Sequence, residues 1–127
     1  KGADRTALIT DAIRPAGTDV SESILGSIDN GLKVIIEDGV AKLPDRTAFA
    51  GSIATADRLV RSMINLADVS LEDTIKMISA TPARILGVLD KKGTLTAGKD
   101  ADIIIFDDNI NISMTMINGR IVYQNNQ

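Results

Sequence analysis

"ALITDAIRPAG" spans residues 7–17, and its reading decides the fold. Ala7-Leu8-Ile9-Thr10 runs into a carboxylate, Asp11, and Pro15-Ala16-Gly17 follows as a turn signal. Residues 6–11 are expected to form a short, buried strand. An acid at such a strand end has two readings. It is either a loop Asp that organises a local turn, or a group presented at the C-terminal end of a strand, where barrel enzymes keep their chemistry. Spacing alone leaves both open.

Working outward, Arg14 to Gly31 is polar and Gly-containing and reads as a long loop. Leu32–Glu37 and Val40–Leu43 read as strands joined by Asp38-Gly39, a hairpin near residues 32–43 whose type I′ turn needs positive φ at both central positions. Pro44 to Gly51 reads as a second loop. From Ser52 the apolar period becomes helical, with Leu59, Val60, Met63, Ile64 and Ala67 on one face. Val69 and Ser70 break this helix, and Ser70 with Asp73 resembles a capping box that opens a second one. Thr81-Pro82 predicts a third, short helix with Thr81 as N-cap, ended by Gly87. The remainder reads as β: a piece at Gly93–Leu95, a buried strand over 101–106, and a hairpin of Ile112–Ile117 with Ile121–Tyr123 around Asn118-Gly119. Residues 125–127 read as a frayed tail.

The 127 residues suffice for one modest domain, and the 44% hydrophobic and 24% charged content is ordinary for a globular one. A net charge of −3 argues against a nucleic-acid or anionic-membrane partner. No apolar run approaches the roughly 18 residues of a spanning helix, and no leader is expected at Lys1-Gly2-Ala3-Asp4. The lack of cysteine suits a cytoplasmic protein. Aromatics are 2% of the chain, so the core must be aliphatic or be completed from elsewhere. With no His and no Cys, the chain has neither an ordinary zinc site nor an imidazole base of its own.

Several segments together carry a family resemblance. "LITDAIRPAG" resembles the last barrel strand of the N-acetylglucosamine-6-phosphate deacetylases, members of the amidohydrolase superfamily. "FAGS", Phe49 to Ser52, is similar to that family's Leu-Ala-Gly-Ser motif, with Phe49 in place of the usual Leu. "TPARILGVLDKKGTLTAGKDADIIIFD", Thr81 to Asp107, resembles the superfamily's C-terminal signature, which dihydroorotases, hydantoinases and ureases share, and "INGRIVY" also fits. The resemblance implies an α/β fold: the C-terminal fragment of a TIM-type (β/α)8 barrel in residues 1–90, and part of a small β-sandwich domain in 91–127. A barrel needs on the order of 250 residues, so the chain is expected to be the C-terminal portion of such an enzyme.

The activity implied is hydrolysis of N-acetylglucosamine 6-phosphate to glucosamine 6-phosphate and acetate. The resemblance casts Asp11 as the catalytic group that takes a proton from a metal-bound water and donates it to the leaving amine. It casts Phe49, Ala50 and Gly51 as substrate contacts. It places the ligands of a divalent metal ion (zinc or similar), a Glu and two His, upstream with the phosphate-binding groups, so that no metal and no activity are expected of the segment alone. Without the resemblance, Phe49 to Ser52 is a helix entry, with Ser52 as N-cap and Phe49 as a staple. Arg84 and Lys99 read as an exposed helix face and a turn. Met63, Met77, Met114 and Met116 read as core, and Asp100 and Asp102 as structural. Two rival readings are a different amidohydrolase acting on a cyclic amide, as dihydroorotases and hydantoinases do, and a free-standing β-rich interaction domain. A segment of a larger enzyme is expected to expose apolar faces and to occur as a homodimer or a self-associating species.

Overall fold

A computed structural model describes residues 1–125. The chain forms two compact units, Thr10–Ala56 and Lys1–Ile9 with Asp57–Gln127.

The unit over 10–56 is built on an antiparallel sheet in the order β1 (Glu22–Leu25), β2 (Leu32–Glu37), β3 (Val40–Lys42). The hairpin between β2 and β3 is the one its turn residues predict, with Asp38 at φ 53° and Gly39 at φ 73°. Lys42 pairs with Glu37 at 3.1 Å and Asp38 at 2.9 Å, and Arg46 pairs with Glu37 at 2.8 Å. Arg46 and then Lys42 hold the Glu37 carboxyl below its ordinary range. The core of this unit is small: Val34 and Ala41 are fully buried and Ala50 nearly so.

Two expectations are corrected here. Arg14 to Gly31 is not all loop, because β1 lies inside it; Glu22-Ser23-Ile24-Leu25 has no period-two alternation to betray a strand. Residues 6–11 are not a buried strand. Thr6 to Thr10 carries no strand pairing, Ile9 is 73% exposed, and Asp11 at φ 47° leaves the extended region. A strand is held by its neighbours, and only Ala12 meets one, in a parallel bridge with Ser52.

The other unit carries α1 (Ala56–Ala67), α2 (Leu71–Ile78), α3 (Ala80–Ile85) and a second antiparallel sheet of β4 (Ile103–Phe106), β5 (Ile112–Ile117) and β6 (Arg120–Gln124). Its buried apolar residues are Val60, Met77, Ala83 and Ile110, while Met63, Met114 and Met116 are half-buried. Ser70 caps α2 as expected, accepting from the Asp73 N–H at 3.1 Å. Gly87 ends α3 at φ 72°: its N–H bonds Arg84 O at 3.1 Å and that of Val88 bonds Ala83 O at 2.9 Å, a Schellman motif. Asn118 at φ 47° and Gly119 at φ 75° make the second predicted hairpin turn.

Thr81 is not an N-cap. It lies inside α3, only 2% exposed, and its hydroxyl donates to Ala3 O at 2.7 Å, so a distant carbonyl outcompetes the local capping role. Gly93–Leu95 is not a strand either. Gly93 sits at φ 87° with its α-carbon face against α3, where a Cβ would lie 2.7 Å from that of Ala83. The strand expected over 101–106 begins at Ile103 and is half-exposed rather than buried, since it pairs only with β5. Asp100 and Asp102 are structural: both pair with Lys92, at 2.9 and 2.6 Å. Lys99 ties its turn to Leu89 O and, at 2.6 Å, to Thr94 Oγ1, and Arg84 bonds Asp4 O. Of the tail, Asn125 donates to Ser113 O at 2.8 Å, and residues 126–127 lie outside the described residues. Among the described residues no helix is long and apolar enough to cross a membrane.

Candidate functional site

Asp11 and the Phe49–Ser52 stretch come together in the unit over 10–56. The contact is made by backbone: Ser52 N–H donates to Asp11 O at 3.2 Å and Ile13 N–H donates to Ser52 O at 2.8 Å, a short parallel bridge. On its other side the same stretch joins β3. Ala50 N–H donates to Ala41 O at 3.0 Å, Leu43 N–H to Ala48 O at 2.9 Å, and Phe49 bridges Lys42 antiparallel. The second half of the expected loop over 44–51 is therefore a connector that hydrogen-bonds β3 on one side and the Asp11 segment on the other.

Asp11 is exposed, and among the described residues its carboxylate makes no hydrogen bond or ion pair. Its left-handed backbone is one that Asp tolerates better than most residues. A carboxylate with no internal partner can accept or deliver a proton outside the fold. The turn that follows is tied down at two places. Thr18 Oγ1 donates to Pro15 O at 2.8 Å, and the Arg14 guanidinium donates to Ile24 O at 3.3 Å and Gly26 O at 3.1 Å.

The three residues expected to contact substrate differ from one another. The Phe49 side chain is 74% exposed and so is not a staple. Ala50 is 4% exposed and its N–H is taken by Ala41, so it serves the core. Gly51 lies at φ 78°, where an L side chain is strained. Ser52 is not the N-cap of α1, which begins four residues later. Its Oγ accepts from Ala54 N–H at 3.0 Å in a local turn. Sequence reasoning missed Arg14 as the brace of this turn. A lone Arg in a loop carries no signal of which distant carbonyls it will meet.

Among the described residues no three of His, Cys, Asp and Glu lie together as metal ligands. One exposed carboxylate does not hold a divalent ion, so the residues present do not fit a metal centre.

Residues 10–122 match the amidohydrolase family. The chain belongs to that family. This amidohydrolase chain is 40% identical over 126 residues to an N-acetylglucosamine-6-phosphate deacetylase of Lysinibacillus sphaericus, a match covering 99% of this chain and 31% of the relative. The crystal structure of the Pasteurella multocida N-acetylglucosamine-6-phosphate deacetylase superposes with a TM-score of 0.85 at 27% identity, over 93% of this chain and 30% of that one. A Mycobacterium smegmatis deacetylase variant, solved in complex with N-acetyl-D-glucosamine-6-phosphate, superposes with a TM-score of 0.83 at 29% identity, over 95% of this chain and 31% of that one. The amidohydrolase chain thus spans less than a third of the length of these relatives.

Proposed function

We propose that this chain is the C-terminal portion of an N-acetylglucosamine-6-phosphate deacetylase, with residues 1–90 belonging to a TIM-type barrel and 91–127 to a β-sandwich. Asp11 is its proton carrier. Water attacks the acetamide carbonyl and Asp11 accepts its proton; the C–N bond breaks, and Asp11 returns the proton to the departing sugar nitrogen, leaving acetate and glucosamine 6-phosphate. The observation that carries this reading is the exposed, unpaired carboxylate of Asp11 on a segment whose backbone is bridged to the Phe49–Ser52 stretch, in a chain whose relatives bear the deacetylase name. Phe49 and the backbone of Gly51 are the substrate contacts in this reading. Ala50 contributes by shaping the connector.

Amidohydrolases generally use a divalent metal, which supplies a Lewis acid for the carbonyl and the water when bound. Its ligands, a Glu and two His, are proposed to lie in sequence not carried by this chain, which has no histidine. A cytoplasmic location and a homodimeric or self-associating state belong to the same proposal. The latter is supported by apolar side chains on β6, where Ile121 and Val122 are more than half exposed.

The test is acetate release by the complete enzyme carrying this segment. N-acetylglucosamine 6-phosphate should be hydrolysed and dihydroorotate or a hydantoin should not; the reverse preference would replace the deacetylase reading with the cyclic-amide one. Zinc titrated into the 127-residue chain should produce no hydrolysis, and activity there would overturn the assignment of the ligands.

A further inference from the structure

The Asp11 segment and the 49–52 connector approach so closely that one of the residues between them can have no side chain. An ideal Cβ on Gly51 would lie 2.5 Å from Ile13 Cγ2, inside any real contact distance, and 3.8 Å from Asp11 O. Ile13 is half-buried, its main chain is held in the bridge through its N–H, and its β-branched side chain is stiff at χ1, so relieving the collision takes either a disfavoured rotamer or a parting of Asp11 and Ser52. Gly51 also holds φ 78°, disfavoured for any L side chain. Both constraints act on the residue immediately before Ser52, whose N–H and carbonyl hold Asp11 and Ile13.

We infer that Gly51 is a positioning residue for Asp11, acting through Ile13: its bare α-carbon lets the connector close on the 11–13 segment and aim the Asp11 carboxylate. This rests on the proposed role of Asp11 and goes beyond a substrate contact at Gly51. The chain of backbone links runs from Ala41 through Ala50 and Ser52 to Asp11, so the register of the β2–β3 hairpin is carried to the acid. A side chain at 51 interrupts that chain at its last link.

Two measurements test this. In the 127-residue chain, hydrogen exchange reports the bridge directly at the amides of Ile13 and Ser52, with the Ile36 amide, bonded to Ser21 O, as an internal control. Gly51→Ala should speed exchange at Ile13 and Ser52 by well over the roughly tenfold expected of one left-handed alanine, because the collision adds to it. Ile13→Ala, which removes the colliding atom, should have little effect alone and, combined with Gly51→Ala, should bring exchange back to the roughly tenfold excess of the left-handed alanine by itself. If Gly51→Ala also loses protection at Ile36, the double variant decides: recovery supports the steric account, and none overturns it. In the complete deacetylase, Gly51→Ala should lower kcat with KM nearly unchanged, and Ile13→Ala should recover part of kcat in the double variant. A raised KM at unchanged kcat would leave Gly51 a substrate contact only and refute positioning. Should the unmutated enzyme fail to release acetate, the deacetylase reading fails while the exchange result still stands on its own.

Discussion

Replacing Asp11 separates chemistry from folding, provided that the replacement is chosen for its backbone. Asp11 sits at φ 47° and its carbonyl accepts the Ser52 N–H at 3.2 Å. Asn keeps the shape and, like Asp, tolerates the left-handed region; Ala does not, and is expected to cost about 1 kcal/mol there. Because the carboxylate has no internal partner among the described residues, Asn strands no buried group and should leave stability within about 0.5 kcal/mol of the parent. Losing a general base costs on the order of 10²–10⁴ in rate, which is about 2.7–5.4 kcal/mol of barrier at 1.36 kcal/mol per decade. The assay pairs urea unfolding of the 127-residue chain with steady-state acetate release by the complete enzyme. Asp11→Asn should unfold with the parent, keep KM, and lose at least a hundredfold in kcat. Asp11→Ala should lose the same activity and also unfold earlier. An Asn variant that retains more than a tenth of kcat would refute the proton-carrier role. One that unfolds well before the parent would refute the account of Asp11 as internally unpartnered.

Val34→Ala should destabilise the unit over 10–56 by roughly 2 kcal/mol, since it removes two buried methyl groups at about 0.8 kcal/mol each and leaves a cavity; an unchanged urea midpoint would mean that the small Val34–Ala41–Ala50 core does not carry this unit. Ser70→Ala should cost about 1 kcal/mol of α2 stability and Ser70→Asp much less, measured by circular dichroism during thermal unfolding. The ion pairs predict a two-sided pH dependence. Arg46 and Lys42 depress the Glu37 carboxyl from 4.5, so its contribution is present above that value and lost as pH falls through the depressed one. Asp38 and Glu37 raise the Lys42 ammonium from 10.5, so its contribution is present below that value and lost as pH rises through the raised one. Urea midpoints should be flat across neutral pH and fall at both ends, and Glu37→Gln should soften the acid limb. An acid limb indistinguishable in Glu37→Gln would show these exposed pairs to be screened out.

The elements legible in the sequence were those whose signals are local. Asp38-Gly39 and Asn118-Gly119 demand positive φ and took it. Ser70 found its N–H three residues on, and Gly87 closed α3, its own N–H bonding Arg84 O and that of Val88 bonding Ala83 O. Where local and distant partners compete, local reading failed. Thr81 had a capping role on offer and instead bonds Ala3, 78 residues away. Gly93 looked like part of a strand and is a glycine because α3 lies against it. Ile110, a β-branched residue, is buried at φ 60°, its carbonyl taken by Arg61 at 2.8 Å; no local preference predicts that conformation.

The candidate site divides along the same line. Sequence by itself determined the residue types: an acid after an apolar run at Asp11, a small-residue stretch at 49–52, and motifs that place the chain among the amidohydrolases. It did so because motifs and turn chemistry are written in consecutive residues. Only the tertiary structure decided that Asp11 and Ser52 share a parallel bridge, that Ala50 is turned into the core, and that Gly51 has no room for a side chain. Those facts depend on two segments about 40 residues apart meeting at van der Waals distance, and hydrogen-bond partners and steric exclusion at that separation are settled by packing, which no short window of sequence contains.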